Sequence, residues 1–129
     1  MVKRMALVAS VFATALLISS CGGGSSSGVV SVTGYWSGTW TSSTGQSGAL
    51  TTTLTSNAST YSGPATIYNS NCFGYEFATG TLSGSKLTLG VASNAIIFVG
   101  TVSGSTISGL YNIYSGGCSG DSGTFSISK

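Results

Sequence analysis

Few side chains of this 129-residue chain are suited to acid–base or nucleophilic chemistry. The sequence contains two acidic residues, four basic residues and no histidine. A Ser–His–Asp triad is therefore excluded, and a pair of catalytic carboxylates has to consist of Glu76 and Asp121. Glu76 lies in a strand-like run and Asp121 follows Cys118, so the alternative for each is a solvated charge at a rim, or a turn role for Asp121. We favour that alternative and expect no enzymatic activity.

Composition disfavours several other partners. Because the chain has no histidine, the ligands available to a metal ion are carbonyl groups and the two carboxylates. We therefore expect no metal and no other cofactor. Lys3 and Arg4 account for the formal net charge of +2, and the charged side chains beyond residue 20 sum to zero. A neutral chain lacks the basic surface that binds nucleic acid. We therefore expect no nucleic-acid partner.

A short apolar segment near the N-terminus indicates export. Lys3 and Arg4 precede an uncharged, mostly apolar stretch at residues 5–18, which is shorter than the roughly 20 residues of a membrane-spanning helix. This order is typical of a signal segment. Its end, Ile18-Ser19-Ser20-Cys21, resembles the lipobox of bacterial lipoproteins. The resemblance implies removal of residues 1–20 and acylation of the Cys21 thiol and amino group. The alternative is an ordinary secretory signal with an incidental cysteine.

The segment after Cys21 has the composition of a tether. Residues 21–31 begin with the lipidated cysteine and continue as a Gly/Ser linker, whose reach is on the order of 15 Å. Several acyl chains anchor a protein stably where one chain does not. With Gly22 directly after the cysteine, the sequence resembles lipoproteins that are sorted to the outer membrane more than those retained in the inner membrane. We therefore expect a lipid-anchored protein of the bacterial cell envelope, with the outer membrane favoured and the domain in the periplasm or at the cell surface.

The two other cysteines, Cys72 and Cys118, form an even pair in an exported domain. Such a pair indicates a disulfide, and closing a separation of 46 residues stabilises a fold by roughly 4 kcal/mol through loop-closure entropy. The alternative is two reactive thiols or a metal pair, for which the chain has no histidine or further cysteine. We favour the disulfide.

The chain from Val32 onward consists of short strand-like runs broken by Gly, Ser and Asn, with no helical stripe. Eight strands are predicted, at residues 32–41, 48–56, 60–69, 73–83, 86–92, 95–103, 106–114 and 121–128. Regular short strands suggest a sandwich or a barrel. We expect an all-β domain at residues 32–129, a small eight-stranded antiparallel up-and-down barrel, because closure removes exposed sheet edges.

Turn and kink residues agree with a tightly curved barrel. Two near-repeats, "TLSGSKLTL" at 81–89 and "TVSGSTISG" at 101–109, indicate hairpins with Gly-Ser turns. Glycine precedes threonine in four strand-like runs, where it permits the bend that a small barrel needs. These glycines are Gly38, Gly80, Gly100 and Gly123. Pro64 predicts a bulge.

The first strand carries a second resemblance. Its segment "TGYWSGTW", with Gly34 and Trp36, resembles the Gly-x-Trp opening of lipocalin- and avidin-like (calycin) barrels. In those families the tryptophan plugs the closed end of the barrel. Avidin-like barrels usually carry a polar biotin-binding residue two positions later, where this chain has Gly38. The resemblance therefore supports the fold and does not extend to biotin.

The predicted topology places both cysteines at one end. In an up-and-down barrel, the loops after strands 1, 3, 5 and 7 share an end. Cys72 falls in the loop after strand 3 and Cys118 in the loop after strand 7, as a disulfide requires. The N-terminus enters at the opposite end, so the end with the cysteines is expected to face away from the membrane.

Aromatic residues are the remaining candidates for a site. Alternation places Trp36 and Trp40 on one face of their strand and Phe73, Tyr75 and Phe77 on one face of theirs. The predicted core residues are Trp36, Phe77, Phe98 and Phe125. The predicted ligand contacts, which alternatively fill the core, are Tyr68, Phe73, Tyr75 and Tyr114. Aromatic walls with hydroxyl groups suit small apolar molecules or sugars.

Three functional hypotheses follow. The first is a non-enzymatic envelope lipoprotein that binds a small apolar or amphipathic ligand at the barrel mouth. The second is a loop-mediated interaction protein, for example an inhibitor of a secreted hydrolase, and the third is a structural or adhesive surface protein. A cavity of a few hundred Å³ would favour the first. A filled interior would favour the second, and a row of exposed aromatics outside the barrel would favour the third.

Overall fold

The computed structural model describes residues 31–129, in which eight strands form a closed antiparallel barrel in sequence order. The strands are β1 (Gly34–Ser42), β2 (Ser47–Asn57), β3 (Thr60–Ile67), β4 (Tyr75–Ser83), β5 (Lys86–Val91), β6 (Ile96–Ser103), β7 (Thr106–Ile113) and β8 (Ser122–Ser128). The predicted all-β, up-and-down barrel is confirmed. The predicted signal peptide and the predicted lipidation of Cys21 lie outside the described residues. Among residues 31–129, no helix is long and apolar enough to cross a membrane.

The barrel closes where the first and last strands pair. Trp40 lies opposite Phe125 in the β1–β8 ladder, which runs antiparallel like every other pair. Glycine makes this seam possible: a Cβ on Gly38 would collide with the Ser126 carbonyl oxygen, and one on Gly123 with the Thr41 carbonyl oxygen. The glycines therefore let β1 and β8 approach closely enough to complete the barrel.

Alternating side chains fill the interior. Inward positions on all eight strands contribute to one buried cluster, in which Trp36 is 0% exposed and Phe98 and Phe125 pack edge to face, 5.1 Å apart. These three residues were predicted core residues, and the structure confirms them. Outward positions carry mainly Ser and Thr side chains. The alternation of side chains along each strand thus gives the barrel a polar outer surface and a filled apolar interior.

Trp36 closes the end of the barrel at which β1 begins. Its indole N–H donates to the Val32 carbonyl oxygen at 2.8 Å. Lys129 Nζ lies 4.9 Å from the ring centroid and donates to the Thr33 carbonyl oxygen at 2.8 Å. Both chain ends of the domain therefore fold over this tryptophan, and we call this end of the barrel the closed end.

Two local predictions are wrong. Phe77 was expected in the core but is 58% exposed, because β4 turns Ala78 inward and its odd-numbered neighbours outward. Pro64 was expected to mark a bulge, yet the β2–β3 register is the same before and after it, with Thr52 opposite Ala65 and Thr55 opposite Ser62. The proline interrupts the ladder at two positions without adding a residue to the strand.

Candidate functional site

Four loops form the end of the barrel opposite the closed end, and we call this end the mouth. They comprise residues 43–46, 68–74, 92–95 and 114–121. The Cys72–Cys118 disulfide joins the second and fourth loops, with the two Cα atoms 6.1 Å apart. The predicted bond, and the prediction that both cysteines share one end, are confirmed. Residues 31–33 lead into β1 at the closed end, so the mouth faces away from them.

Short-range hydrogen bonds fix the two loops that the disulfide joins. Ser70 Oγ accepts the backbone N–H groups of Cys72 and Phe73, each at 3.1 Å. In the other loop, the Gly120 N–H donates to the Ile113 carbonyl oxygen at 2.8 Å, and the Asp121 N–H donates to the Cys118 carbonyl oxygen at 3.0 Å. The serine side chain thus acts as a turn cap, and these bonds hold Phe73 and Asp121 in place beside the disulfide.

Asp121 is held at the inner edge of the mouth by a buried serine. Ser42 Oγ lies 2.7 Å from Asp121 Oδ1 and 2.9 Å from Oδ2, and it donates to this carboxylate. The Thr44 N–H donates in turn to Ser42 Oγ at 3.1 Å. Glu76 has a different partner, because its Oε2 accepts the Gly74 N–H at 3.3 Å. The two carboxylates are therefore engaged in separate contacts.

Tyr111 brings a buried phenol next to Asp121. Its side chain is 2% exposed and packs against Trp40 and Phe98, with ring centroids 6.3 and 5.5 Å apart. The phenol oxygen has no hydrogen-bond partner among the described residues. Burial raises the pKa of Tyr111, the negative charge of Asp121 raises it further, and Ser42 opposes the change in part. The Ser42 hydroxyl donates its hydrogen bond to Asp121 and not to the phenol oxygen.

Two adjoining spaces meet at Asp121. The inner space is a cavity of about 20 Å³ whose lining includes Trp40, Phe73, Tyr111 and Asp121. The outer one is an open depression of about 430 Å³, whose lining combines hydroxyl, amide and carboxylate groups with apolar surface. Asp121 and Gln46 line both. The inner cavity is large enough for one water-sized group, and the wider space lies outside the barrel.

The predicted contact residues take two different positions. Phe73 lines the inner cavity and packs against the core. The three tyrosines are exposed on the rim and do not line either space; they are Tyr68, Tyr75 and Tyr114. Tyr68 also supports the mouth through its backbone, because its carbonyl oxygen accepts the Trp40 indole N–H at 2.9 Å. Within residues 31–129 no group of three or more His, Cys, Asp or Glu side chains is placed to hold a metal ion.

Ser42, Gln46 and Tyr111 were not predicted as site residues. Tyr111 shares an inward row with Ile113, and side chains in such rows usually fill the core. The available signal was its position: it is the last inward tyrosine before the loop that contains Cys118. A phenol at the end of a strand has its hydroxyl near the polar rim. No family model, curated protein or solved structure matches this chain.

The raised pKa of Tyr111 predicts a loss of stability in strong base. Below about pH 10 the phenol is protonated in both folded and unfolded chains, so it contributes no pH dependence. As pH rises through that value, the unfolded chain loses its phenol proton first and the free energy of unfolding falls. The fall ends when the folded chain also ionises.

Ultraviolet titration of the six tyrosines measures this directly. We expect one phenol to ionise after the others and Tyr111→Phe to remove that late step. The same variant should lose less stability above about pH 10 than the original chain. Ionisation of Tyr111 together with the exposed tyrosines would contradict this account.

Proposed function

We propose that this chain is a non-enzymatic lipoprotein of the bacterial cell envelope, anchored through lipid on Cys21, whose barrel mouth binds a small amphipathic ligand. The observation that carries the proposal is the pair of adjoining spaces that share Asp121. One is open and lined by both polar and apolar surface, and the other is small, with aromatic walls and the Asp121 carboxylate. Two environments side by side suit a molecule with both polar and apolar parts.

The size of the two spaces favours binding at the mouth over enclosure inside the barrel. Small-molecule sites usually measure about 300–1,000 Å³. The inner cavity, with about 20 Å³, is far below this range, so the interior is filled, which is the outcome expected to favour loop-mediated interaction. Ligand binding therefore depends on the open depression of about 430 Å³ at the mouth. Phe73 lines the inner cavity, and Tyr75 and Tyr114 leave exposed aromatic rings at the rim. We infer that the ligand is held by its head group and that the remainder of it lies against the rim.

The orientation of the barrel supports the anchoring proposal. Residues 31–33 enter β1 at the closed end, so a lipid on Cys21 leaves the mouth directed away from the membrane. The closed end carries both lysines of the described residues, Lys86 and Lys129. Basic side chains near the anchor are compatible with an anionic membrane surface.

Native mass spectrometry of the full chain, exported and purified from a bacterial envelope, tests both parts. We expect a chain that begins at Cys21, carries acyl chains, shows the mass deficit of one disulfide and holds one small-molecule adduct. The control variant Cys21→Ala should lose the acyl mass and keep the adduct. A mature chain without acyl groups would overturn the anchor. An empty monomer would overturn ligand binding at the mouth.

A second candidate, protein interaction or surface adhesion, is favoured by the filled interior of the barrel and by two separate apolar pairs on its outer wall. Phe77 lies opposite Pro64, and Val99 lies opposite Leu110, all on outward positions. Phe77 and Leu110 are both more than half exposed, and exposed apolar patches mark interaction surfaces when they are contiguous. An empty dimer or a protein adduct in the same mass spectrum would favour this candidate.

A further inference from the structure

The charged side chains of residues 31–129 are separated along the barrel axis. Lys86 starts β5 after a turn at the closed end, and Lys129 contacts Trp36 at that end. Glu76 and Asp121 lie at the mouth. These are the four charged residues of the described chain. The negative charge of Asp121 is therefore not balanced by a basic side chain of residues 31–129, and its hydrogen bond comes from the neutral Ser42 hydroxyl.

The inner cavity combines this carboxylate with an unsatisfied acceptor and aromatic walls. The Tyr111 phenol oxygen is buried without a partner in the described residues, and Tyr111 lines the same cavity as Asp121. Trp40, Phe73 and Phe98 form other walls. Carboxylates and aromatic faces both attract cations. An anionic head group would instead meet the negative charge of Asp121 and the negative faces of the rings.

The volume of the cavity selects among cations. A cavity of about 20 Å³ admits one water-sized group. A primary ammonium has that size, whereas a trimethylammonium or a guanidinium group is larger. A primary ammonium has three N–H donors and no acceptor. Among the residues that line the cavity, the Asp121 carboxylate and the side chains of Tyr111, Gln46 and Ser70 carry oxygen atoms that can accept hydrogen bonds. The lining therefore offers at least as many acceptor side chains as a primary ammonium has donors.

We propose that the cavity beside Asp121 and Tyr111 binds the primary ammonium group of the ligand. The rest of the ligand leaves through the open depression, since Gln46 and Asp121 line both spaces. This inference rests on the proposed function, because it names the head group of the amphipathic ligand at the mouth. It restricts the class of candidate ligands to amphipathic primary amines.

The two tryptophans provide a reporter and an internal control for the test. The Trp40 indole N–H lies at the mouth and donates to the Tyr68 carbonyl oxygen. The Trp36 indole N–H lies at the closed end and donates to the Val32 carbonyl oxygen. The experiment is a titration of the full chain in lipid nanodiscs, followed by the two indole N–H signals in nitrogen–proton correlation spectra. The probes are n-butylammonium, n-butyltrimethylammonium, n-butanol and n-butyrate.

We expect n-butylammonium to shift the Trp40 signal saturably and to leave the Trp36 signal in place. Asp121→Asn should weaken this binding by at least about tenfold, and Tyr111→Phe by about fivefold, because each removes one acceptor of a charged donor. The matched control Glu76→Gln removes an equal charge at the mouth from a residue that does not line the cavity. Its affinity for n-butylammonium should stay within about twofold of the original.

Three results would overturn the ammonium assignment. Equal binding of n-butyltrimethylammonium, n-butanol or n-butyrate would remove the selectivity, and unchanged affinity in Asp121→Asn would remove the carboxylate; both leave ligand binding at the mouth standing. No shift of the Trp40 signal with any of the four probes would overturn the assignment as well. The proposed function would then depend on the adduct seen by mass spectrometry alone.

Discussion

Replacing Trp36 with alanine lowers the free energy of unfolding by about 3–5 kcal/mol, the usual cost of removing a large aromatic side chain from a core. Trp36 is among the largest fully buried side chains of the barrel. The substitution leaves a cavity where β1 begins, and its cost depends on how far the surrounding strands relax into it. A marginally stable domain with about 5–15 kcal/mol to lose is then near its unfolding threshold.

The loss extends beyond buried area, because Trp36 organises the closed end. Without its indole, the Val32 carbonyl oxygen loses a donor and Lys129 loses the aromatic face over which it lies. Trp36→Phe keeps much of the apolar volume but not the indole donor, so it should cost less than Trp36→Ala. The loss in free energy of unfolding should therefore be smaller for Trp36→Phe, which keeps an aromatic ring, than for Trp36→Ala, which keeps neither the ring nor the donor.

Urea unfolding followed by circular dichroism measures both variants against one neighbour. Tyr35→Ala changes an aromatic residue of the same strand whose side chain is exposed, and it should alter the free energy of unfolding by no more than about 0.5 kcal/mol. Equal effects of Trp36→Ala and Tyr35→Ala would show that Trp36 does not hold the closed end together.

The fold was predictable because the alternation of residues and the turn motifs in the sequence agree with a closed barrel. Alternation and Gly-Ser turns place all eight strands, with β5 and β7 ending within one residue of their predicted limits. The largest error lies between β3 and β4, where Tyr68 and Phe73 were included in strands. Ser70 forms a turn there by accepting the N–H groups of Cys72 and Phe73. Side-chain-to-backbone bonds of this kind have no periodic signature in a sequence.

The sequence also did not predict which residues of β4 face the interior. Tyr75 and Phe77 have the apolar character of core residues, but Ala78 and Leu82 occupy the inward positions. Small residues suit the interior where neighbouring strands already supply large ones, so the phase depends on residues distant in sequence. Single-strand hydrophobicity therefore assigned Phe77 to the wrong side of the sheet.

The mouth could be located from the sequence, and its chemistry only in part. Cys72 and Cys118 identify the correct end, and Asp121 follows from its closeness to Cys118. The pairing of Asp121 with Ser42 joins residues separated by 79 positions, and it depends on the β1–β8 seam. No local motif contains such a pair. The buried phenol of Tyr111 was hidden for the same reason, since its partners come from other strands.

Removing the disulfide with Cys72→Ser and Cys118→Ser together lowers the free energy of unfolding by roughly 4 kcal/mol, the loop-closure entropy of a bridge between residues 46 apart. Both cysteines lie in loops, and no strand of the barrel contains either. The barrel ladders should therefore persist in the double variant at low temperature, while the mouth loops gain freedom. We expect a lower melting temperature with an unchanged strand signal in circular dichroism.

The same variant separates the stability of the barrel from the order of the mouth. The bridge fixes the loop of Phe73 against the loop of Asp121, so its loss should broaden the Trp40 indole signal and leave the Trp36 signal sharp. Reducing agent added to the original chain is the matched control and should reproduce both effects. Equal stability with and without the bridge would mean that residual structure already keeps residues 72 and 118 close together in the unfolded chain. A sharp Trp40 signal in the double variant would mean that those bonds, and not the disulfide, position the groups that line the cavity.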